Sequence, residues 1–226
     1  MNEIAPRAQR LLVAAAVFAI AFAVYALTLT PTVGLTDSGA LTVAAWALGN
    51  AHPPGFPLYL MLTHLATMLP IGSIAVRVNY ASAFFAALAC AMAAMSAAEM
   101  TNVLVSEAKI LPKRGDPPPA PPLRTTRLIL MAFAGLLLAF SRTLWEYAVV
   151  GEVYALNTFL LATIFWLMLS WRRTKSIARL YLAALVFGLA LGVHHVTVGL
   201  TLLGIAVLVA RTAGAKFFRS RQLLVA

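Results

Sequence analysis

The apolar run that decides the fold is LLVAAAVFAIAFAVYALTL, at residues 11–29. Its length suits a helix that crosses the bilayer core, whereas the apolar core of a cleaved signal peptide is only about 7–15 residues long. The whole chain is 62% apolar and 11% charged, while a soluble domain is about half apolar and about a quarter charged. The sequence therefore predicts an all-α polytopic membrane protein.

The positive charges are unevenly distributed along the 226 residues, which carry a net charge of +10. Of 17 Lys and Arg residues, 15 fall in four clusters between apolar runs, at 7–10, 109–127, 172–179 and 211–221. This is the positive-inside pattern of membrane proteins, and it argues against nucleic-acid binding. We expect a cytoplasmic N-terminus, with the chain in the bacterial inner membrane.

The other apolar runs extend the prediction to a single membrane domain, residues 1–226, with about six transmembrane helices. A long outward loop precedes the second span, and a cytoplasmic loop with the stiff segment DPPPAPP at 116–122 follows it. The predicted spans are 11–29, 81–98, 128–140, 154–171, 180–193 and 196–210, with the outward loop at 30–80 and the cytoplasmic loop at 99–127.

The outward loop contains the proline-broken segment HPPGFPLY at 52–59. Pro57 suits the first turn of a helix over 58–69, which would be about 18 Å long at 1.5 Å per residue. A helix of that length is too short to cross the membrane unaided. We expect it to lie at the interface or to re-enter the bilayer.

Chemically useful side chains concentrate in the predicted outward segments, 30–80, 141–152 and 194–195. These segments hold all four histidines and three of the seven acidic residues. Such a grouping indicates an active site that faces the periplasm or exterior. The single Cys90 and the absence of any Cys/His cluster argue against a disulfide, a metal site or another cofactor.

Asp37 is the candidate catalytic residue. It could act as a general base that takes a proton from an acceptor hydroxyl. Its position before Ser38 and Gly39 equally suits a helix N-cap. The two roles are compatible.

Five further residues are candidates for substrate or phosphate binding. His52 is held by neighbouring prolines, and the guanidinium groups of Arg77 and Arg142 suit phosphate recognition, although Arg142 could instead pair with a glutamate four residues later. Glu152 could line a site or begin a helix, and His195 could face the cavity.

The motifs together resemble a known family, namely domain-of-unknown-function family 2723. This is a transmembrane-protein-260-like, protein O-mannosyltransferase-like group related to the GT-C glycosyltransferases. The resemblance covers roughly residues 11–200 and rests on several segments in a fixed order. They are TDSG (36–39), AHPPGFPLY (51–59), LPIGSIAVRVNYASA (69–83), SRTLWEYAVVGEVYALN (141–157) and GLALGVHHVT (188–197).

The resemblance implies a GT-C-like helical bundle that transfers a mannose-like sugar from a polyprenyl-phosphate donor to a protein, lipid or glycan hydroxyl. By position, the catalytic acid would be Asp37. The family often has a second acid directly after DSG, where this chain has Ala40, and its members usually continue with more helices. We therefore expect the N-terminal part of a longer architecture. The alternatives are a non-catalytic subunit or lipid-glycan transporter, and an inactive fragment.

Overall fold

The computed structural model describes residues 7–108 and 124–214, and gives no side-chain detail for 105–108. The described residues form helices joined by short turns, without a β-strand. The helices are α1 (Arg7–Leu27), α2 (Ser38–Ala47), α3 (Pro57–Thr67), α4 (Ile74–Ala108), α5 (Arg124–Ala139), α6 (Arg142–Ala148), α7 (Val153–Thr174) and α8 (Ile177–Ala213). The predicted proline-rich spacer at 116–122 lies outside the described residues.

Among the described residues, four helices are long and apolar enough to cross a membrane, namely α1, α4, α7 and α8. The pair α5 and α6 is bent by 64° and would make a fifth if it counts as one span. A helix satisfies its backbone polar groups internally, which is what a chain in lipid requires. The prediction of an all-α polytopic membrane protein is confirmed, and by length and composition the described helices supply four or five spans when α8 is counted once.

This count takes α8 as one span, whereas the sequence predicts two short runs there, at 180–193 and 196–210. The backbone of α8 is sharply non-helical at His194, with φ −154° and ψ 81°. A straight helix of this length, 37 residues, would extend about 55 Å. Yet Lys175, just before α8, donates from Nζ to the carbonyl oxygen of Thr212 near its end, at 3.0 Å. The helix therefore doubles back at His194 into two short antiparallel arms.

The outward loop folds into two short helices, as the sequence predicts. Pro57 lies in the first turn of α3, and the helix over 58–69 is confirmed within two residues of its predicted end. His64 joins α3 to α2, with its Nδ1 atom 2.8 Å from the carbonyl oxygen of Ala45. The outward loop is predicted to end at 80, but α4 already begins at Ile74. The last residues of the predicted loop therefore form the first two turns of α4.

Small residues allow the central helix α4 to pack closely against α1 and α5. Ala83, Ala87 and Cys90 of α4 are fully buried. At Gly135 of α5, an added Cβ atom would lie 2.7 Å from Val17 Cγ1 and 2.9 Å from the carbonyl oxygen of Cys90. Such close approach is typical of membrane helix interfaces, and it makes glycine necessary at this position.

The bundle has two ends with different chemistry. The site end holds Asp37, His52 and Glu152. The basic end, at the other ends of α4 and α7, holds Glu99 and Arg173. The three predicted outward segments all meet at the site end, because the arms of α8 turn there beside the start of α7.

Candidate functional site

A cavity of about 220 Å³ opens at the site end. Segments that are distant in the sequence build its wall: the start of α2, the proline loop before α3, the start of α7 and the turn of α8. Its lining includes Asp37, His52, Glu152, Tyr154, His194 and His195. Four of the six predicted site residues therefore meet here.

Asp37 occupies the N-cap position of α2, and its carbonyl oxygen accepts the backbone N–H of Leu41 at 2.9 Å. Its side chain makes no capping hydrogen bond. The carboxylate is 58% exposed, and its Oδ2 atom lies 3.5 Å from Nε2 of His52. The backbone thus begins the helix, while the carboxylate remains available to a substrate.

His52 is oriented by a tight turn. Its carbonyl oxygen accepts the N–H of Gly55 at 2.9 Å, and its ring meets Phe56 edge-on at 5.2 Å. Gly55 has φ +91°, a conformation that side chains disfavour. The turn therefore holds the imidazole beside Asp37, and the two form an ion pair whenever the imidazole is protonated.

Glu152, at the N-cap position of α7, is the buried acid of the cavity, with only 4% of its surface exposed. Its Oε1 atom accepts the hydroxyl hydrogen of Thr36 at 3.0 Å, and its backbone N–H donates to Ser82 Oγ at 3.3 Å. Burial raises the pKa of this carboxyl above its usual 4.5, and the negative charge of Asp37 adds to the increase. The cavity thus holds two carboxyl groups in unlike environments, an arrangement that can separate acid and base roles.

Thr36 is a residue that sequence reasoning missed. It adopts a left-handed backbone with φ +67°, which is uncommon for a threonine. Nearby, Asn79 is fully buried and donates from Nδ2 to the carbonyl oxygens of Thr30 and Thr32, at 2.8 and 2.9 Å. These bonds fix the segment before Asp37 against α4. Only the position of Thr36 inside the TDSG motif could have indicated its importance.

The turn of α8 brings two histidines to the cavity. His194 Nδ1 lies 3.1 Å from Thr197 Oγ1, and its ring lies 5.7 Å from the ring of Tyr154. His195 lines the cavity beside it, as predicted. His194 and Tyr154 are additional lining residues. Within 7–108 and 124–214, no group of three or more His, Cys, Asp or Glu side chains is arranged to hold a metal.

Two predicted phosphate-binding residues lie elsewhere. Arg77 donates to the carbonyl oxygens of Thr67, Ile71 and Gly72 at 2.7, 2.7 and 3.1 Å, so it ties the end of α3 to the following loop. Arg142 is exposed on α6 in a separate depression with Glu146. The structure therefore does not bring either guanidinium into the cavity.

The match to a known protein family covers the segments that line the cavity. The family model described as the protein O-mannosyl-transferase TMEM260 N-terminal domain matches residues 37–216. The match begins at Asp37 and includes both arms of α8. No solved structure gives a significant match.

Two curated relatives carry related names. The mouse protein O-mannosyl-transferase TMEM260 is 33% identical over 148 residues, which cover 63% of this chain and 17% of that protein. The Dictyostelium discoideum protein O-mannosyl-transferase tmem260 is 24% identical over 159 residues, covering 67% of this chain and 16% of that protein. The chain thus corresponds to about a sixth of either relative. Both relatives are eukaryotic, so these matches do not support the predicted bacterial inner membrane.

Proposed function

Because the chain belongs to the family of the protein O-mannosyl-transferase TMEM260 N-terminal domain, we propose that it is an integral-membrane mannosyltransferase or its N-terminal part. The proposed donor is a polyprenyl-phosphate-linked mannose, and the acceptor is a hydroxyl group. The observation that carries this proposal is the exposed Asp37 carboxylate beside His52, in a cavity that also holds the buried acid Glu152.

The proposed reaction is an inverting displacement. Asp37 accepts the proton of the acceptor hydroxyl, whose oxygen forms the new bond to the anomeric carbon. The bond from that carbon to the phosphate oxygen breaks, and its electron pair leaves with the polyprenyl phosphate. A protonated His52 or His195 would stabilise the developing negative charge. Arg77 and Arg142, which lie outside the cavity, have no part in this scheme.

An apolar groove gives the donor lipid a place to lie. It occupies about 380 Å³ between α7 and the second arm of α8. Leu161 and Leu200 lie toward the site end, and Met168 and Leu208 continue along the same helices. A polyprenyl chain in this groove would place its phosphate near the cavity, because both helices begin at the cavity wall.

The test is transfer by the purified chain. It is incubated with polyprenyl-phosphate mannose and hydroxyl-bearing peptides, and the products are analysed by mass spectrometry. Asp37→Asn should reduce transfer at least about 100-fold, because an amide is a poor base. Its melting temperature should stay unchanged, since the Asp37 side chain makes no capping hydrogen bond and Asn is equally acceptable at the N-cap position. Transfer at the wild-type rate would refute the role of Asp37, and transport of the lipid-linked sugar without transfer would favour a transporter.

We further propose that the site end faces away from the cytoplasm, because the arginine-rich basic end follows the positive-inside rule. Leu35 is 91% exposed near the cavity, and Thr125 is exposed near the basic end. A membrane-impermeant maleimide should label Leu35→Cys in intact cells and should spare Thr125→Cys until the cells are opened. The native Cys90 is buried. The reverse labelling pattern would contradict this orientation.

A further inference from the structure

A second cavity, of about 420 Å³, lies at the basic end. The helices α1, α4, α7 and the start of α8 surround it. Its charged lining within residues 7–108 and 124–214 consists of Arg7, Arg10, Arg173, Arg179 and Glu99. The proposed transfer reaction uses none of these residues.

The lining carries more positive charge than its carboxylate can balance. Glu99 is 3% exposed and binds Arg173 through two hydrogen bonds, of 2.7 and 3.1 Å. Its Oε1 atom also lies 3.5 Å from Arg10 Nη1. Among the described residues of the lining, four guanidinium groups and one carboxylate leave an excess of three positive charges. An anion would therefore be attracted to the cavity.

Two buried donors in the lining have no acceptor. They are Nε of Arg10 and Nε1 of Trp166, and neither has a hydrogen-bond partner in the part of the chain that the structure describes. Buried polar atoms in native proteins are nearly always hydrogen-bonded. Arg179, unlike these two donors, already has partners within the protein. Its Nη1 atom donates to the Ser170 carbonyl oxygen at 3.1 Å and to Thr174 Oγ1 at 3.0 Å. The cavity thus offers donors to a ligand that brings acceptor oxygens.

The rest of the cavity lining is mostly apolar. Leu11, Met92 and Met95 extend from the arginines toward the middle of the bundle. A soluble anion gains nothing from such a wall, whereas an acyl chain buries apolar surface against it. Basic pockets between transmembrane helices suit lipid headgroups for this reason.

We propose that this cavity binds an anionic phospholipid of the adjacent leaflet. The phosphodiester lies among Arg7, Arg10 and Arg179, and an acyl chain lies along the wall formed by Leu11 and Met95. Glu99 and Arg173 hold the surrounding helices together. Arg10 and Arg179 each have one nitrogen engaged within the protein, and the phosphate takes their remaining donors.

The experiment measures phosphatidylglycerol binding to the purified full chain in neutral detergent, by native mass spectrometry. The test variant is Arg7→Gln with Arg179→Gln. The matched control is Arg124→Gln with Arg211→Gln, which removes the same charge from exposed positions of the same end but outside the cavity. The single variant Arg7→Gln is the second test, because Arg7 is exposed and its loss should not affect folding.

The wild type should bind phosphatidylglycerol more tightly than phosphatidylcholine and should ignore glycerol phosphate. The test pair should weaken binding about tenfold or more, since it removes charge-assisted hydrogen bonds to the phosphate. Arg7→Gln alone should give a smaller loss, and the control pair should bind like the wild type. Equal weakening in both pairs would overturn the proposal in favour of unspecific surface attraction. Equal binding of glycerol phosphate would identify a soluble anion as the ligand instead.

Discussion

The site end and the basic end each bury one glutamate, and the two are held in opposite ways. Glu99 is neutralised by Arg173 and lies 3.5 Å from Arg10. Glu152 makes no ion pair among the described residues; it accepts the hydroxyl hydrogen of Thr36, and burial raises its pKa. Cations thus hold the buried acid at the basic end, whereas a hydroxyl group holds the buried acid that lines the cavity at the site end.

The largest stability effect should follow loss of the paired acid. Glu99→Gln removes the charge that Arg173 and Arg10 share and leaves two guanidinium groups close together. We expect it to destabilise the fold by about 3 kcal/mol, as removal of one partner from a buried ion pair does. Thermal unfolding in detergent measures this loss. Glu152→Gln is the matched control and should lower the stability less. An equal loss of stability in both variants would contradict the claim that the two glutamates are held in opposite ways.

The close packing of α1, α4 and α5 connects the two ends of the bundle. Gly135→Ala would place a Cβ atom 2.7 Å from Val17 Cγ1, and such overpacking costs about 1–3 kcal/mol. Gly199→Ala is the control, because a Cβ atom there has nothing within 4 Å. The melting temperature should fall for the first substitution and stay near the wild-type value for the second. A Gly135→Ala protein as stable as the wild type would contradict the packing described for α5.

Glu152 should make the stability of the protein depend on pH. Its pKa is raised in the fold, so its favourable contribution is complete below its usual value of 4.5 and is lost as the pH rises through the raised pKa. Glu152→Gln retains an acceptor for the Thr36 hydroxyl and lacks this titration. As the pH is raised from 4 to 8, the melting temperature of the wild type should therefore fall relative to that of the variant. A constant difference across this range would show that burial does not shift the titration of Glu152.

The smallest effect should come from restoring the second acid of the family motif. Ala40 is exposed on α2 and is not part of the cavity lining. Ala40→Glu should therefore leave both the melting temperature and the transfer rate near their wild-type values. A large increase in transfer would show that the acid after DSG takes part in the reaction and that Asp37 alone is insufficient.

Local sequence patterns predicted the helices of this protein better than they predicted which side chains contact one another. Pro57 predicted the start of α3, because proline favours the first turn of a helix. The sequence also placed His52 and Asp37 in one loop. It could not exclude Arg77 from the phosphate site, because that depends on three carbonyl oxygens that happen to lie within its reach. The sequence did predict a turn at 194–195 between the apolar runs 180–193 and 196–210, and α8 folds back at His194.

The amino-acid sequence by itself determined the membrane class, the helical elements and the separation of charge between the two ends, because hydrophobicity and charge act residue by residue. Only the tertiary structure decided which groups share a cavity. Arg173 meets Glu99 because α4 packs against α7. Thr36 meets Glu152 because Asn79 and Ser82 of α4 hold the segments that carry these two residues. That packing also raises the pKa of Glu152, since a carboxyl group responds to burial and neighbours rather than to its place in the chain.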